Sequence, residues 1–181
     1  MYNVYYADAG SRASFYIIDE HRGFKEFGSK RDAEYAQEVQ FILSNNNAAP
    51  KVLSDVGRIV LPEHLRCDEK KFSGWGFITE LAEMVGCGGN DCGCGECDDI
   101  YESIYPKVKR LHNKIERLGY DFADDHVGNI GYIKRRGRKV LVCIDTGRES
   151  IYDNNDDVDY SGDYNNCSCY QCQQYREGRN V

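Results

Sequence analysis

The stretch DDHVGNIGY, Asp124 to Tyr132, sets two carboxylates, an imidazole and a carboxamide within six residues, then runs into an alternating apolar segment. The cluster is too polar to be core, and the segments downstream of it give it a shape. NIGYI and VLVCI are two β-like runs separated by KRRGRK, and Gly137 in that tip marks a hairpin. A hairpin brings the residue before its first strand beside the residue after its second, so Asn129 and Asp145 should meet at the open end. Asp124, just upstream, reaches the same place from the loop. Oxygen donors grouped in this way suit Mg²⁺ carrying phosphate oxygens, because Mg²⁺ takes few protein carboxylates and keeps positions for water and substrate.

Working outward, the apolar residues at 100, 104, 108, 111, 115 and 118 predict a long helix ahead of the loop, ended by Gly119. Pro106 places the start of that helix near Tyr105, with 98 to 104 as a separate turn. Further upstream, SFYIIDEHRGFKEF (14 to 27) reads as two strands. Ser29 reads as the N-cap of a helix whose stripe is Ala36, Val39, Ile42 and Leu43. RIVLP (58 to 62) and GWGFITE (74 to 80) read as two more strands. Beyond Ile151 the chain carries Asp153, Asp156, Asp157, Asp159 and Asp163 with almost no aliphatic residue, a composition that stays disordered unless its cysteines tie it down.

D-D-H-V-G-N followed by I-D-T-G resembles the paired loop and metal motifs of the protein-kinase-like superfamily, in particular its atypical and aminoglycoside-phosphotransferase-like branches. The resemblance implies an α+β, compact bilobal fold. Residues 1 to 80 would form a nucleotide-binding lobe with a small antiparallel sheet and one helix, and residues 81 to 181 a reduced C-terminal lobe. It also implies roles: Asp124 as catalytic base or substrate orienter, Asn129 and Asp145 as Mg²⁺ ligands, Lys25 on the α and β phosphates of ATP, and Glu38 as its ion-pair partner. ITELAE resembles the hinge that meets adenine, with Glu80 and Ala82 as its binding positions, and AGSRASF lies where a glycine-rich loop belongs. Thr146 replaces the family's Phe after the metal aspartate, Ala123 replaces its catalytic-loop Arg, and Gly10 is the one glycine in the phosphate loop. Only 34 residues follow Gly147, too few for a full activation segment and peptide-docking helices. The implied function is a compact ATP/Mg²⁺ phosphotransferase whose acceptor is left open between a protein hydroxyl, a small molecule and the chain itself. The alternative is an inactive scaffold that binds another protein. VCIDTG also resembles the active-site strand of aspartic proteases, but a polar, cysteine-bearing tail follows where those enzymes need a β domain.

CGCGEC (92 to 97) and CSCYQC (167 to 172) repeat one spacing, Cys, one residue, Cys, two residues, Cys. Cys92, Cys94, Cys97, Cys167, Cys169 and Cys172 are therefore candidate Zn²⁺ ligands, and zinc would staple the polar tail to the C-terminal lobe. Disulfides and an iron–sulfur cluster are the alternatives, and Cys143, inside an apolar run, reads as core. A net charge of −7, from 23 Lys and Arg against 30 Asp and Glu, argues against nonspecific nucleic-acid binding. Mean hydropathy of −0.65 and the absence of a long apolar run argue against a membrane span. The chain reads as cytoplasmic, or in the host cytoplasm if viral, with a nucleotide and a protein partner or acceptor. The five cations of KRRGRK read as a solvated tip, with a partner-binding patch as the second reading.

Overall fold

The computed structural model describes residues 5–9, 13–58, 74–86 and 95–154, which form an α+β fold of small antiparallel sheets and two helices. The first sheet has strand order β1-β2-β3-β5-β4, with β1 Tyr5–Ala9, β2 Ala13–Ile17, β3 Arg22–Phe27, β4 Gly57–Arg58 and β5 Trp75–Glu80. β4 is only the start of the strand expected over 58 to 62, and the rest of that run lies outside the described residues. β3 is packed on both faces: Phe24 clusters with Tyr16 and Ile18 on one, and on the other Phe27 stacks on Phe77 of β5 at 6.0 Å.

Helix α1, Lys30–Asn45, begins where Ser29 Oγ accepts from the Asp32 amide at 3.1 Å, a side-chain cap that satisfies an otherwise unpaired donor. Its inward face is Ala33, Ala36, Val39, Gln40 and Leu43. The two alanines let the helix approach Phe27 and Phe77, while Val39 and Leu43 join a larger core with the second helix. Gln40 is buried without cost to its amide, which donates to the Pro50 carbonyl at 3.0 Å and to Thr79 Oγ1.

Helix α2 is a single helix, Gly95–Glu116, and not the turn plus later helix expected from Pro106. A proline in a helix interior deprives the carbonyl four residues earlier of its partner. Here both Glu102 and Pro106 face solvent, so water can serve that carbonyl and the helix continues. The expected apolar stripe holds: Ile104, Val108, Leu111 and Ile115 are buried in the large core.

After Gly119, at φ 90, β7 (Tyr120–Phe122) pairs with β10 (Ile151–Asp153), with Ile151 opposite Phe122. The chain expected to lack structure from Ile151 therefore begins with an ordered strand, because Ile151 is fully buried against the same core as Phe122. β6 (Glu83–Met84), β8 (Ile130–Arg135) and β9 (Arg138–Cys143) make the third sheet, in the order β6-β8-β9. The β8–β9 hairpin forms as expected, but its register, Ile130 opposite Cys143 and Arg135 opposite Arg138, is shifted by one residue from the expected pairing and puts Ile144, not Asp145, across from Asn129. No helix among the described residues is long and apolar enough to cross a membrane.

Candidate active site

The open end of the hairpin is where the sequence placed the chemistry. One step beyond the Ile130–Cys143 pair, the Ile144 amide donates to the Asn129 carbonyl at 2.8 Å, which sets Asn129 beside the segment carrying Asp145. Asn129 is buried, and its Nδ2 donates at 2.9 Å both to the Asp124 carbonyl and to Asp124 Oδ2. One carboxamide thus fixes the backbone and the side chain of Asp124, leaving Asn129 Oδ1 as an oxygen donor with no hydrogen bond among the described residues. His126 shapes the loop between them: its Nδ1 accepts from the Gly128 amide at 3.0 Å, and its Nε2 lies 3.5 Å from Asp124 Oδ1.

Asp145 is half-buried and held by both oxygens. Oδ1 accepts from the Gly147 amide at 3.1 Å, and Oδ2 accepts from the hydroxyl of fully buried Ser150 at 2.7 Å. Each carboxylate oxygen keeps a further lone pair, so these bonds orient the group without exhausting it. The next residue, Thr146, is fully buried and donates to the Ala36 carbonyl of α1 at 3.0 Å, tying the aspartate segment to that helix. Cys143 is core as expected. Burial, reinforced by the Asp145 charge, pushes its thiol well above the ordinary range, and its Sγ donates to the Asp145 carbonyl at 2.7 Å.

Lys25 reaches from β3 to this end of the hairpin, where its Nζ donates to the Ile144 carbonyl. Its stem is partly accessible, but the ammonium is desolvated. Burial holds its pKa below the ordinary 10.5, against the opposing pull of Asp145 and Glu149. Glu38 does not join it. That residue is exposed on α1, whose inward face is spent on Ala33, Ala36 and Gln40, and the carboxylates that act on Lys25 come from the segment after the hairpin. A desolvated ammonium destabilises the fold below its lowered pKa, and that cost falls as pH rises toward 10.5. Lys25→Met removes that cost and should therefore stabilise the chain at pH 7. The gain over wild type should shrink at pH 10, as read from paired urea titrations.

The residues expected to form the hinge lie differently from one another. The Glu80 carboxylate is taken by the Arg135 guanidinium, Oε1 at 2.6 Å and Oε2 at 2.5 Å, and by the Lys51 amide at 3.0 Å. Burial pushes the Glu80 pKa up, but the Arg135 and Lys51 contacts outweigh it and leave the group below its ordinary 4.5. Ala82 packs against Gly131, where an added Cβ would sit 3.1 Å from the Ala82 Cβ. This contact fastens the segment after β5 to β8. The Leu81 amide is used by the His21 carbonyl at 2.8 Å.

Two features of the site escaped the sequence reading. Glu149 and Ser150 return to Asp145 and Lys25 because the amides of Ser150 and Ile151 both donate to the Gly147 carbonyl, at 3.0 and 2.9 Å, closing a tight turn. Gly147 followed by polar residues and then Ile151 was the available signal. On the other flank, Asp125 accepts from Tyr101 Oη at 2.8 Å and lies 2.7 Å from His112 Nε2, so α2 grips the loop beside Asp124. Burial, with Asp125 adding to it, pushes the Tyr101 hydroxyl above its ordinary range.

Of the cysteines read as zinc ligands, Cys92, Cys94, Cys167, Cys169 and Cys172 lie outside the described residues, as do residues 10 to 12 of the expected phosphate loop. Cys97 is buried on α2, with its sulfur 3.2 Å from where a Cβ on Gly86 would stand. Among the described residues, no three His, Cys, Asp or Glu side chains are grouped to hold a metal ion.

No protein-family model matches the sequence, and no curated protein matches it. Among solved structures the chain is similar to WbdD, with a TM-score of 0.48 and 16% identity over 84% of this chain and 33% of that one. The chain thus spans about a third of the length of the structure it matches. A likeness of that degree assigns no activity.

Proposed function

We propose that this chain is a compact, kinase-like phosphotransferase that binds ATP with Mg²⁺. The observation that carries the reading is the convergence of Lys25, Asp124, Asn129 and Asp145 on one end of the β8–β9 hairpin, through bonds at the Ile144 carbonyl, the Asp124 carboxylate and the Asn129 carbonyl. The donor set suits the ion: one carboxylate and one carboxamide oxygen, both hard, which would leave the remaining coordination positions to water and phosphate. Asn129 and Asp145 would hold Mg²⁺, which when bound neutralises phosphate charge. Lys25 would meet the phosphates on exchanging its Ile144 contact for them, and Asp124 would orient or deprotonate the acceptor hydroxyl. The segment from Glu80 to Ala82 would flank the base as a hinge between two lobes.

Zinc belongs to the same reading. Two knuckles of like spacing, at 92 to 97 and 167 to 172, would close the reduced lobe, with Cys97, buried on α2, among the ligands. Metal analysis of the purified chain should find zinc, with loss of fold on chelation. Zinc-free protein of unchanged stability would remove this part.

A second reading, a binding scaffold without transfer activity, is favoured by Glu38 standing away from Lys25 and by the occupation of the Lys25 ammonium at the Ile144 carbonyl. Incubation with labelled ATP and Mg²⁺ separates the two. Transfer of label to the chain or to an added acceptor supports the enzyme. Saturable nucleotide binding without transfer to any protein or small-molecule acceptor supports the scaffold.

A further inference from the structure

The five cations of the KRRGRK tip do not all behave as a solvated loop. Arg135 is neutralised by Glu80, and Lys139 by Glu83 at 2.7 Å. Arg136 has no carboxylate partner among the described residues, and neither has Lys114, whose Nζ donates to the Asn47 carbonyl at 3.4 Å. These last two, with Arg135, Asn47 and Val140, line a surface cavity of about 450 Å³. None of Lys25, Asp124, Asn129 and Asp145 belongs to it, and no acidic side chain lines it.

Lys114 has an ordinary duty in the last turn of α2, where a cation complements the carbonyls at the helix end. Arg136 has none. It occupies the first central position of a two-residue turn, with φ 50 followed by φ 76 at Gly137. That conformation favours Asn or Gly, and any other side chain adds roughly 1 kcal/mol of strain. A strained arginine thus stands where Asn or Gly would make the same turn with less strain, and it lines the cavity that Lys114 and Arg135 also line.

We propose that this cavity binds a compact anion carrying two or more phosphoryl groups. Arg136 and Lys114, two cations without a carboxylate partner among the described residues, line a concave surface beside the Glu80-paired Arg135 and place positive potential there despite the net charge of −7 on the chain. The volume suits a small ligand and exceeds what one phosphate fills. The lining offers one apolar residue, Val140, and no aromatic ring, which selects the phosphates of the ligand over any base attached to them. Through the Arg135 fork the site touches Glu80, so occupancy would be felt at the linker.

The test is calorimetric titration of the full chain, in magnesium-free buffer at constant ionic strength, with pyrophosphate, tripolyphosphate and a hexose bisphosphate. Saturable one-site binding is expected for at least one of the three, and which of them binds tightest distinguishes a polyphosphate from a phosphorylated sugar. Arg136→Gly, which relieves the backbone, and Lys114→Gln should each weaken it roughly tenfold, the worth of one charge-assisted bond. Lys134→Gln, on the opposite face of the ribbon by its pairing with Lys139, and Asp145→Asn should leave it unchanged. No saturable binding of any probe, equal loss in Lys134→Gln, or loss in Asp145→Asn with none in the cavity variants would each overturn the site.

Discussion

Asp145→Asn should give a chain that folds as before and loses phosphoryl transfer from ATP by at least about a hundredfold, the scale on which metal and electrostatic stabilisation of a developing charge act. The substitution is chosen for shape. Its Oδ1 can still accept from the Gly147 amide, and its Nδ2 can donate to the Ser150 hydroxyl in place of the bond that Oδ2 now accepts at 2.7 Å. What disappears is the negative charge that the proposed Mg²⁺ site requires and that partly offsets the desolvation of Lys25. Transfer assays paired with melting curves read the two effects separately: a melting temperature within a few degrees of wild type, with activity at background. Asp124→Asn should differ in kind, lowering the rate of transfer while nucleotide affinity stays near wild type, because Asp124 is assigned to the acceptor.

Gly76→Ala should be the most damaging single methyl group in the first sheet. Gly76 sits in β5 opposite Glu26 of β3, and a Cβ built there would lie 1.7 Å from the Lys25 carbonyl oxygen and 2.8 Å from the Phe24 ring. The nearest obstacle is backbone, so it cannot be relieved by turning a side chain. β3 and β5 must separate, and with them the strand that aims Lys25 at the hairpin. A loss of about 4 kcal/mol is expected, at the upper end of what point substitutions do. Gly57→Ala, where a Cβ meets nothing within 4 Å, is the control and should change stability by less than about 0.5 kcal/mol. Urea unfolding of the two variants beside wild type makes the comparison.

The parts of the fold that were legible in the sequence are those fixed by local chemistry. Ser29 announced α1, Gly137 announced the hairpin tip, and the spacing from Ile104 to Ile115 announced the buried face of α2. The errors have physical causes. Pro106 reads as a helix start because its missing amide costs nothing there, whereas in the structure the exposure of Glu102 lets water replace the bond lost in the helix interior. β7 and β10 have three residues each and exist through one another, with Ile151 and Phe122 paired across nearly thirty intervening residues. No local pattern carries such a pair. The exposed position of Glu38 is legible in the helical periodicity alone. At 3.6 residues per turn it points roughly 160° away from the mean direction of Ala33, Ala36, Val39, Gln40 and Leu43. The meeting of Asn129 with the Asp145 segment was legible because hairpin geometry is local. The return of Ser150 and Glu149 was not, since it depends on the turn at Gly147 and on the burial of Ile151 beyond it.

The grouping of Lys25, Asn129 and Asp145 can be interrogated without knowing the acceptor. Amide resonances of the chain would be recorded with ATP and a trace of Mn²⁺ in place of Mg²⁺, since the paramagnetic ion broadens only nuclei near it. Broadening should concentrate at residues 128 to 130 and 144 to 147, require ATP, and vanish in Asp145→Asn. Broadening centred elsewhere, or none at these amides under saturating ATP, would contradict a metal–nucleotide site at the open end of the hairpin.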